Sequence, residues 1–537
     1  MLNLNYAGLQ DRAGWEAAGV TLPKYDWKEM RAETEKNPTW VHFGAGNIFR
    51  AFIAKLQQDL LNQGLVKGGI VAADTFDYDN INMIYHPYDA MTMLVLLMPD
   101  GSMKKEVVAS ISKGLCAGNA FPEDLAELAN IFRNPSLQMV SFTITEKGYA
   151  LTNIHGQFFP FVETDFANGP SNCSHAMSRM AALLLERFNS CKKPVAMVSM
   201  DNCSHNGQKL RSSVMTVVDK WHANGFVSDD FVAWVKDESN VSFPWSMIDK
   251  ITPRPAKIVE EALIAAGIAD MSPKITPRNS FVAPFVNAEE PQYLVIEDRF
   301  PNGRPPLEKA GVYLTDRDTV NNTEKMKVTT CLNPLHTCLA VYGCMLGYEL
   351  IADEMKDPEL KALVEKVGYV EGLPVVVDPK ILSPKSFIDE VIQKRLPNPF
   401  MPDTPQRIAT DTSQKVAIRF GETIKSYAAR EDLDPASLTY VPLAIAGWLR
   451  YLLAVDDSGK PFACSSDPML ETLQTQLAGV ELGNPESVNG RLEPILRNAT
   501  LFGVDLVEVG LGSKIEGMVK EMLAGPGAVR ATLKKYL

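Results

Sequence analysis

The feature that most constrains the fold is an apolar run followed directly by a glycine turn and an amphipathic segment. Residues 39–43 have the sequence TWVHF, which is typical of a buried β-strand, and Gly44 and Gly46 come next. In residues 51–64, AFIAKLQQDLLNQG, apolar side chains recur with helical spacing up to a terminal glycine. Strand, glycine turn and helix in this order predict that an α/β domain begins at about residue 39.

This turn suits the pyrophosphate of a dinucleotide. Glycine allows the backbone to approach phosphate oxygens, and a helix start offers free N–H groups and the positive end of its dipole. The pattern that includes Asn47, Phe49 and Arg50 is G-x-G-x-x-x-R instead of the complete G-x-G-x-x-G, so the motif is weak by itself. Arg50 either faces a phosphate or lies on a solvated surface.

Two later strand patterns end in polar residues that fit the same kind of ligand. The run 69–73 ends in Asp74. An acid there can hold the adenosine ribose hydroxyls and repel a 2′-phosphate, which favours NAD over NADP, and the alternative is a solvated acid. The run 194–200 ends in Asp201 and Asn202. Because ligands bind beyond the carboxyl ends of parallel strands, Asn202 is a candidate donor to a substrate oxygen, although Asn also forms turns there.

The pattern changes well past the middle of the chain. Before the change, strand-like runs alternate with helical patterns, and residues 299–318, rich in Pro, Gly and charge, predict a bridge between domains. After it, long helical patterns dominate, including one over 407–429. We therefore predict an N-terminal arm (1–38), an α/β domain (39–318) on which it packs, and a mostly α-helical domain (319–537).

Composition argues against several classes of function. A net charge of −12 disfavours nucleic acid as the main partner, but it permits anionic small molecules in a local cationic pocket. The eight cysteines form no C-x-x-C pair, so neither a zinc site nor a disulfide framework is indicated. The chain shows no signal pattern and no apolar run of about 18 residues, so we expect a cytoplasmic protein that is neither exported nor inserted in a membrane.

The helical region opens with residue types that suit acid–base chemistry. Lys327, Asn333 and His336 precede a long apolar run. A lysine can act as a base when desolvation or a neighbouring cation lowers its pKa, and an asparagine amide can donate to a developing alkoxide. A histidine three residues after the asparagine lies on the same helical face. The structural alternatives are a charged helix start, an N-cap and a core histidine, respectively.

Two further cations, Arg407 and Lys415, follow a proline-rich loop. They are eight residues apart and therefore lie near one face of a helix if the segment is helical. In that arrangement they bind the anionic end of a substrate or several hydroxyl groups. The alternative is a solvated basic face.

Seven stretches, spread over about residues 40–420, agree with one family. They are VHFGAGNIFRAF, TITEKGY, SMDNCSHNG, MIDKITP, VIEDRFPNGRPPLEKAG, EKMK and RIATDTSQK. The chain thereby resembles the polyol-specific long-chain dehydrogenases/reductases. The resemblance implies a Rossmann-type N-terminal domain, a mostly helical C-terminal domain, a nicotinamide cofactor and no metal.

The resemblance also implies roles for individual residues. It makes Lys327 the general acid or base, and it makes Asn333 and Asn202 the donors to the substrate oxygen. The remaining implied roles are orientation of the substrate by His336, proton passage at Glu324, and substrate contact at Arg407, Lys415 and Asn202. The predicted cofactor-binding residues are Gly44, Gly46, Asn47, Phe49, Arg50 and Asp74.

One spacing departs from the family pattern. The family has K-x-x-x-x-N-x-x-H, whereas five residues separate Lys327 from Asn333 here. One inserted residue rotates the remainder of a helix by about 100°. We predict that a π-type bulge or kink near residues 330–333 absorbs it, because Pro334 removes a backbone donor and clashes with the carbonyl four residues earlier.

We therefore predict a metal-independent, NAD-dependent oxidoreductase that reduces a keto-sugar acid to its aldonate in hexuronate catabolism. Gln414 and the stretch GRPPLEKAG resemble the hexuronate reductases more than mannitol dehydrogenase. On this resemblance we favour D-fructuronate, which gives D-mannonate, ahead of a tagaturonate reductase or a mannitol 2-dehydrogenase activity. Two other classes remain open. A nicotinamide-binding sensor without turnover is favoured by the altered spacing, and a zinc-dependent alcohol dehydrogenase is disfavoured by the missing ligand cluster.

Overall fold

A computed structural model describes residues 1–537, which form two compact units. The first comprises Met1–Met98 and Ser102–Asn321, and the second comprises Pro99–Gly101 and Asn322–Leu537. The first is an α/β unit and the second is mostly helical, which confirms the predicted fold class.

The first unit combines four sheets with helices. Its strands are β1 (Val20–Thr21), β2 (Trp40–Phe43), β3 (Ile70–Asp74), β4 (Thr92–Leu97), β5 (Met103–Val108), β6 (Ile111–Cys116), β7 (Met139–Phe142), β8 (Val195–Ser199), β9 (Val241–Ser242), β10 (Ser246–Asp249), β11 (Lys274–Ile275), β12 (Phe281–Val282), β13 (Phe285–Glu289), β14 (Tyr293–Glu297) and β15 (Tyr313–Thr315). Its helices are α1 (Arg12–Ala17), α2 (Trp27–Lys36), α3 (Ala54–Asn62), α4 (Tyr78–Asn80), α5 (Pro122–Arg133), α6 (Thr145–Tyr149), α7 (Pro160–Asn168), α8 (Ala176–Ser190), α9 (Asn206–Ala223), α10 (Asp229–Lys236) and α11 (Lys257–Ala265).

The largest sheet has six parallel strands in the order β6–β3–β2–β7–β8–β9. Its central strands are buried on both faces, as expected for a parallel sheet that is covered by helices, and are therefore mostly apolar. The chain passes from β2 to β3 and β6 on one side and then returns to β7 on the other side. This reversal creates a switch point between β2 and β7, where ligands of open α/β sheets bind.

The apolar run at 107–111 is shared by two sheets. β5 belongs to the sheet β1–β5–β4–β13, and β6 belongs to the six-stranded sheet. Where the chain crosses from one sheet to the other, the buried side chain of Gln58 hydrogen-bonds the backbone. Its Oε1 accepts from Ala109 N at 2.7 Å, and its Nε2 donates to Val107 O at 2.8 Å. The sequence pattern does not reveal this crossing, since Gln58 lies 51 residues from Ala109.

The second unit is built from helices around a central one, α13. α12 (Arg317–Met326) begins in the first unit and ends in the second. The helices after it are α13 (Asn333–Leu346), α14 (Ile351–Glu354), α15 (Pro358–Glu365), α16 (Pro384–Glu390), α17 (Pro405–Ala409), α18 (Glu422–Ala428), α19 (Tyr440–Tyr451), α20 (Leu470–Gln476), α21 (Glu493–Leu496), α22 (Ala499–Phe502), α23 (Gly512–Met522) and α24 (Ala528–Tyr536). No helix in either unit has the length and apolarity needed to cross a lipid bilayer.

α13 is apolar on nearly all sides and is buried at most positions, as expected for a helix that is surrounded by others. It packs against α15, α17 and α19. It ends at Gly347, whose φ of +80° is the left-handed conformation common after a helix. The carboxylate of Glu371 accepts from three backbone N–H groups at the start of α19 and so replaces bonds that the helix itself cannot make.

Candidate active site

The segment that carries Lys327 is a π-helical turn, Lys327–Cys331. The N–H of Leu332 donates to the carbonyl of Lys327, five residues earlier, at 3.1 Å. Leu332 then leaves the helical conformation, with φ −133°, and α13 starts at Asn333 with Pro334 in its first turn. The wide turn and the break absorb the extra residue. The predicted π-type bulge or kink is therefore confirmed, although it begins slightly earlier than predicted.

Lys327 is nearly excluded from solvent, with 4% of its surface exposed. The alternative of a charged, solvated helix start is therefore wrong. Glu324 lies three residues earlier on α12, and this spacing puts both side chains on one helical face. Lys325, by contrast, is exposed. A carboxylate and a buried amine on one face suit the passage of a proton.

Asn333 does not cap the helix. The N-cap position is occupied by Leu332, and no side chain bonds to the first turn. The backbone carbonyl of Asn333 accepts from the hydroxyl of Thr337 at 3.0 Å, while its side-chain amide makes no hydrogen bond within the chain. The N-cap alternative is therefore wrong, and the amide is available to a ligand.

His336 lies near several charged side chains and is 16% exposed. Its Nε2 is 3.5 Å from Oδ2 of Asp403, which also pairs with Arg407. Burial is the largest influence and lowers the pKa of His336 to about 4; Asp403 raises this pKa, whereas Arg419, Arg407 and Arg395 lower it. His336 is therefore neutral at pH 7, and its contact with Asp403 is not an ion pair there.

The two cations predicted to share a helix face do not lie on one helix. α17 ends at Ala409, and Asp411 has the left-handed φ of +53°. The carboxylate of Asp467 then accepts from the N–H of Ser413 at 2.8 Å and from its hydroxyl at 2.5 Å. Because these polar side chains offer the backbone other partners, the helical bonds stop here. The prediction of a continuous helix over 407–429 is wrong.

Arg407 and Lys415 also differ in their surroundings. The side chain of Arg407 is 61% exposed and pairs with Asp403. Lys415 is partly buried, and its Nζ donates to the carbonyl of Thr410. Burial is the largest cause of the lowered pKa of Lys415, and Arg419 lowers it further. A solvated basic face therefore describes Arg407 better than Lys415.

The glycine turn in the first unit has one closed and one open position. At Gly44, φ is +106°, and an added Cβ would lie 2.1 Å from the carbonyl oxygen of Thr143, so only glycine fits. At Gly46, an added Cβ would meet nothing within 4 Å. The backbone is thus locked on the sheet side and accessible at the second glycine, as a phosphate-binding turn requires.

Arg50 is buried, with 1% of its surface exposed, so the alternative of a solvated surface is wrong. Its Nη1 donates to the carbonyl of Ala283 at 2.8 Å, and its Nη2 donates to Oδ1 of Asn47 at 2.9 Å. Because Arg50 holds the oxygen of the Asn47 amide, the NH2 group of Asn47 is the part left for a ligand. Arg50 thus orients the side chain of Asn47 in the glycine turn.

The carboxylate of Asp74 links the end of β3 to the glycine turn by hydrogen bonds. Its carboxylate accepts from the backbone N–H groups of Ala45, Phe76 and Asp77 at 3.2, 2.8 and 3.0 Å. It is only 9% exposed, so the solvated-acid alternative is wrong. Burial raises the pKa of Asp74, and the three N–H groups oppose this effect. A carboxylate accepts about four hydrogen bonds, so one ribose hydroxyl can still be accommodated.

A cavity of about 280 Å³ opens at the carboxyl ends of β7 and β8, and Asn202 lines it. The neighbouring Asp201, which sequence reasoning did not select, connects these two ends. Its carboxylate accepts from the N–H groups of Ile144 and Thr145 at 3.0 and 2.8 Å and from the hydroxyl of Tyr149 at 2.5 Å. The cavity wall that holds Asn202 is therefore braced from the adjacent strand.

A buried hydrogen-bonded chain, also missed from the sequence, ends at the glycine turn. Nε1 of Trp40 donates to Oγ of Ser141 at 2.7 Å, and Ser141 pairs with Nδ1 of His42 at 2.7 Å. Nε2 of His42 pairs with Oγ1 of Thr143 at 2.8 Å, and that hydroxyl donates to Gly44 O at 3.2 Å. The signal for it is a histidine inside an apolar strand that leads into the turn.

Two family models match the chain. The Mannitol dehydrogenase Rossmann domain matches residues 38–309, and the Mannitol dehydrogenase C-terminal domain matches residues 319–522. The first match contains the glycine turn and the second contains the π turn of Lys327.

One relative is similar over the full length. The chain is 52% identical over 538 residues to D-mannonate oxidoreductase of Thermotoga maritima, with 100% of this chain and 99% of the relative covered. Among solved structures, substrate-free D-sorbitol dehydrogenase superposes with a TM-score of 0.78 at 26% identity, over 96% of this chain and 98% of that one. Mannitol 2-dehydrogenase of Pseudomonas fluorescens, in a ternary complex with NAD and D-mannitol, has a TM-score of 0.68 at 24% identity over 99% of both chains, which shows likeness of fold.

Proposed function

The chain belongs to the mannitol dehydrogenase family, and from this premise we propose that it is an NAD-dependent oxidoreductase that interconverts D-fructuronate and D-mannonate. Identity over the whole chain with a D-mannonate oxidoreductase supports this substrate pair. The observation that carries the chemistry is the buried Lys327, which lies in a π turn just before an asparagine with an unused amide. A small-molecule substrate and a cytoplasmic location are part of the proposal.

The glycine turn fits the dinucleotide. The open backbone at Gly46 and the NH2 group of Asn47 would hold the pyrophosphate, while Asp74 would accept from a ribose hydroxyl. Use of NAD is also supported by the mannitol 2-dehydrogenase of similar fold, which was solved with NAD. When bound, the nicotinamide supplies the hydride that reduces the ketone carbon.

The side chains of this protein supply the proton and stabilise the charge. In the reductive direction, Lys327 in its ammonium form gives a proton to the ketone oxygen, and it takes the proton back in the oxidative direction. Asn333 donates an N–H group to that oxygen as negative charge develops, and Asn202, at the cavity of the first unit, is proposed as a further donor to the substrate. The neutral imidazole of His336 orients the substrate without adding a charge, and Glu324 relays the proton between Lys327 and solvent.

The altered spacing no longer favours a sensor without turnover. An uncompensated insertion would have rotated Asn333 and His336 away from Lys327 by about 100°. The π turn and the break at Leu332 take up the extra residue before α13 begins. The feature that favoured a sensor therefore has a structural explanation that is compatible with catalysis.

The test is oxidation of NADH by the purified, EDTA-treated protein with D-fructuronate, D-tagaturonate and D-fructose in parallel. We expect kcat/KM to be at least about 10-fold higher for D-fructuronate than for the other two, because binding differences of a few kcal/mol set such ratios. Preference for D-tagaturonate or D-fructose would instead assign a tagaturonate reductase or a polyol dehydrogenase. Binding of NADH without turnover of any of the three would favour the sensor.

A further inference from the structure

Positive charge accumulates around His336 in a protein whose net charge is −12. The guanidinium groups of Arg419, Arg407 and Arg395 all lower the pKa of His336, against one carboxylate, that of Asp403. Asp403 is already paired with Arg407. The cluster therefore contains more cations than acids.

Arg419 is the member of this cluster that lacks an acidic partner. Its Nη1 donates to the hydroxyl of Thr337, the residue after His336, and no carboxylate of the chain lies within 4 Å of it. A guanidinium carries several further N–H donors, and here they have no partner within the chain. Burial lowers the pKa of Arg419 to about 10, so the side chain remains charged at pH 7.

Two buried arginines of this chain have all their side-chain nitrogens engaged by the protein itself. Arg187 donates to five backbone carbonyl groups, and Arg450 donates to three. The exposed Arg497 pairs with the carboxylates of Glu493 and Asp505. A partly buried cation without such partners is costly, because its lost hydration is not replaced. Arg419 thus has the properties of a group that is completed by a ligand.

The position of Arg419 relates it to the candidate catalytic turn of the same unit. The π-helical segment Ala417–Gly421 packs against Lys327–Cys331 and against α13. Lys415 lies one turn before Arg419 and is also partly buried. The segment of Arg419 therefore adjoins the segment that carries Lys327, and neither Arg419 nor Lys415 has a carboxylate within 4 Å.

We propose that Arg419, beside the predicted substrate contact Lys415, completes a subsite for a carboxylate, which takes the carboxyl group of the sugar acid. This inference rests on the proposed function. The planar guanidinium presents two parallel N–H donors to the two oxygens of a carboxylate, and the ammonium group adds another donor. A neutral CH2OH group at the same position leaves both charges uncompensated. The subsite therefore selects sugar acids over ketoses and polyols.

The test compares Arg419→Met and Arg419→Lys with the wild type on D-fructuronate and D-fructose. We expect Arg419→Met to lower kcat/KM for D-fructuronate about 100-fold, chiefly through KM, and to change kcat/KM for D-fructose by less than about 3-fold. Arg419→Lys should recover part of the loss, because it keeps the charge without the planar fork. Arg497→Met removes an exposed arginine of the same unit and should behave like the wild type.

A binding measurement separates this inference from the proposed function. Calorimetry of D-mannonate and D-mannitol with the enzyme–NADH complex requires no turnover, and NADH affinity reports the integrity of each variant. Arg419→Met should weaken D-mannonate about 100-fold and leave D-mannitol unchanged. Equal losses for both ligands would overturn the subsite. If the wild type reduces no sugar acid but binds D-mannonate through Arg419, the proposed function fails and the subsite stands.

Discussion

His42 of the first unit and His336 of the second are both withdrawn from water, and burial lowers the pKa of His42 to about 3 and that of His336 to about 4. Their surroundings nevertheless differ. Both ring nitrogens of His42 pair with hydroxyl groups, at 2.7 and 2.8 Å, and its ring stacks on Phe49 with centroids 4.1 Å apart. His336 has one contact at 3.5 Å, to Asp403. A lowered pKa therefore does not by itself separate a structural histidine from the histidine that we propose orients the substrate.

The polar groups around the glycine turn and those around His336 also differ in how many hydrogen-bond partners the chain provides. Around the glycine turn, Arg50 and Asp74 are both held by backbone groups, which fix the shape of the turn. Around His336, the amide of Asn333 and most donors of Arg419 have no partner in the chain. A preformed cofactor turn needs rigidity, whereas a substrate site needs unused hydrogen-bond donors. Substitutions in each region test this difference.

Lys327→Ala is expected to have the largest effect, because it removes the proposed proton donor. We expect kcat to fall about 1,000-fold, within the usual range for loss of a general acid or base, with NADH affinity changed by less than about 2-fold. Steady-state kinetics and NADH fluorescence titration measure the two quantities. Lys325→Ala, which alters an exposed neighbour, is the matched control and should retain full activity. A kcat within about 10-fold of the wild type would place the proton donor elsewhere.

The two glycines of the turn provide a comparison within one loop. Gly44→Ala forces a Cβ to within 2.1 Å of a carbonyl oxygen at φ +106°, so we expect the free energy of unfolding to fall by about 3 kcal/mol. Gly46→Ala meets open space, so it should keep the wild-type Tm but raise KM for NADH about 10-fold by crowding the phosphate position. Thermal unfolding and NADH titration check both. The comparison fails if Gly46→Ala unfolds earlier than Gly44→Ala.

The sequence predicts those parts of both regions that depend on local patterns. Glycine spacing and apolar periodicity are enough to place the turn after β2 and the change to helices. One extra residue beside Pro334 is enough to predict the disturbed helix after Lys327, because a proline and a changed helical register act locally.

The partners of the predicted residues were not predictable, because they come from distant parts of the chain. Arg50 is held by Ala283, which lies 233 residues away, and His42 pairs with Ser141, which lies 99 residues away. Such pairs depend on the order of strands in the sheet, which periodicity does not encode. The break between α17 and Lys415 has the same origin, since the capping Asp467 lies 54 residues beyond Ser413.

The smallest expected effect concerns stability in acid. The pKa of His42 in the folded protein is about 3, whereas an unfolded histidine titrates at about 6.5. Below pH 6.5 the unfolded chain therefore binds a proton that the folded chain does not. The stability associated with neutral His42 is complete above this pH and is lost as the pH falls toward 3. At pH 5 the loss amounts to about 2 kcal/mol.

His42→Gln tests this, because glutamine can donate and accept hydrogen bonds but does not titrate. Urea unfolding at pH 7.5 and at pH 5.0 gives the free energy of unfolding that each protein loses on acidification. We expect this loss to be about 2 kcal/mol smaller in the variant than in the wild type. His222→Gln, at an exposed position of the same unit, should keep the wild-type decrease. An unchanged decrease in His42→Gln would mean that folded His42 accepts a proton despite Ser141 and Thr143. The surroundings of His42 would then accept a positive charge, and His42 could no longer be distinguished from His336 as a purely structural histidine.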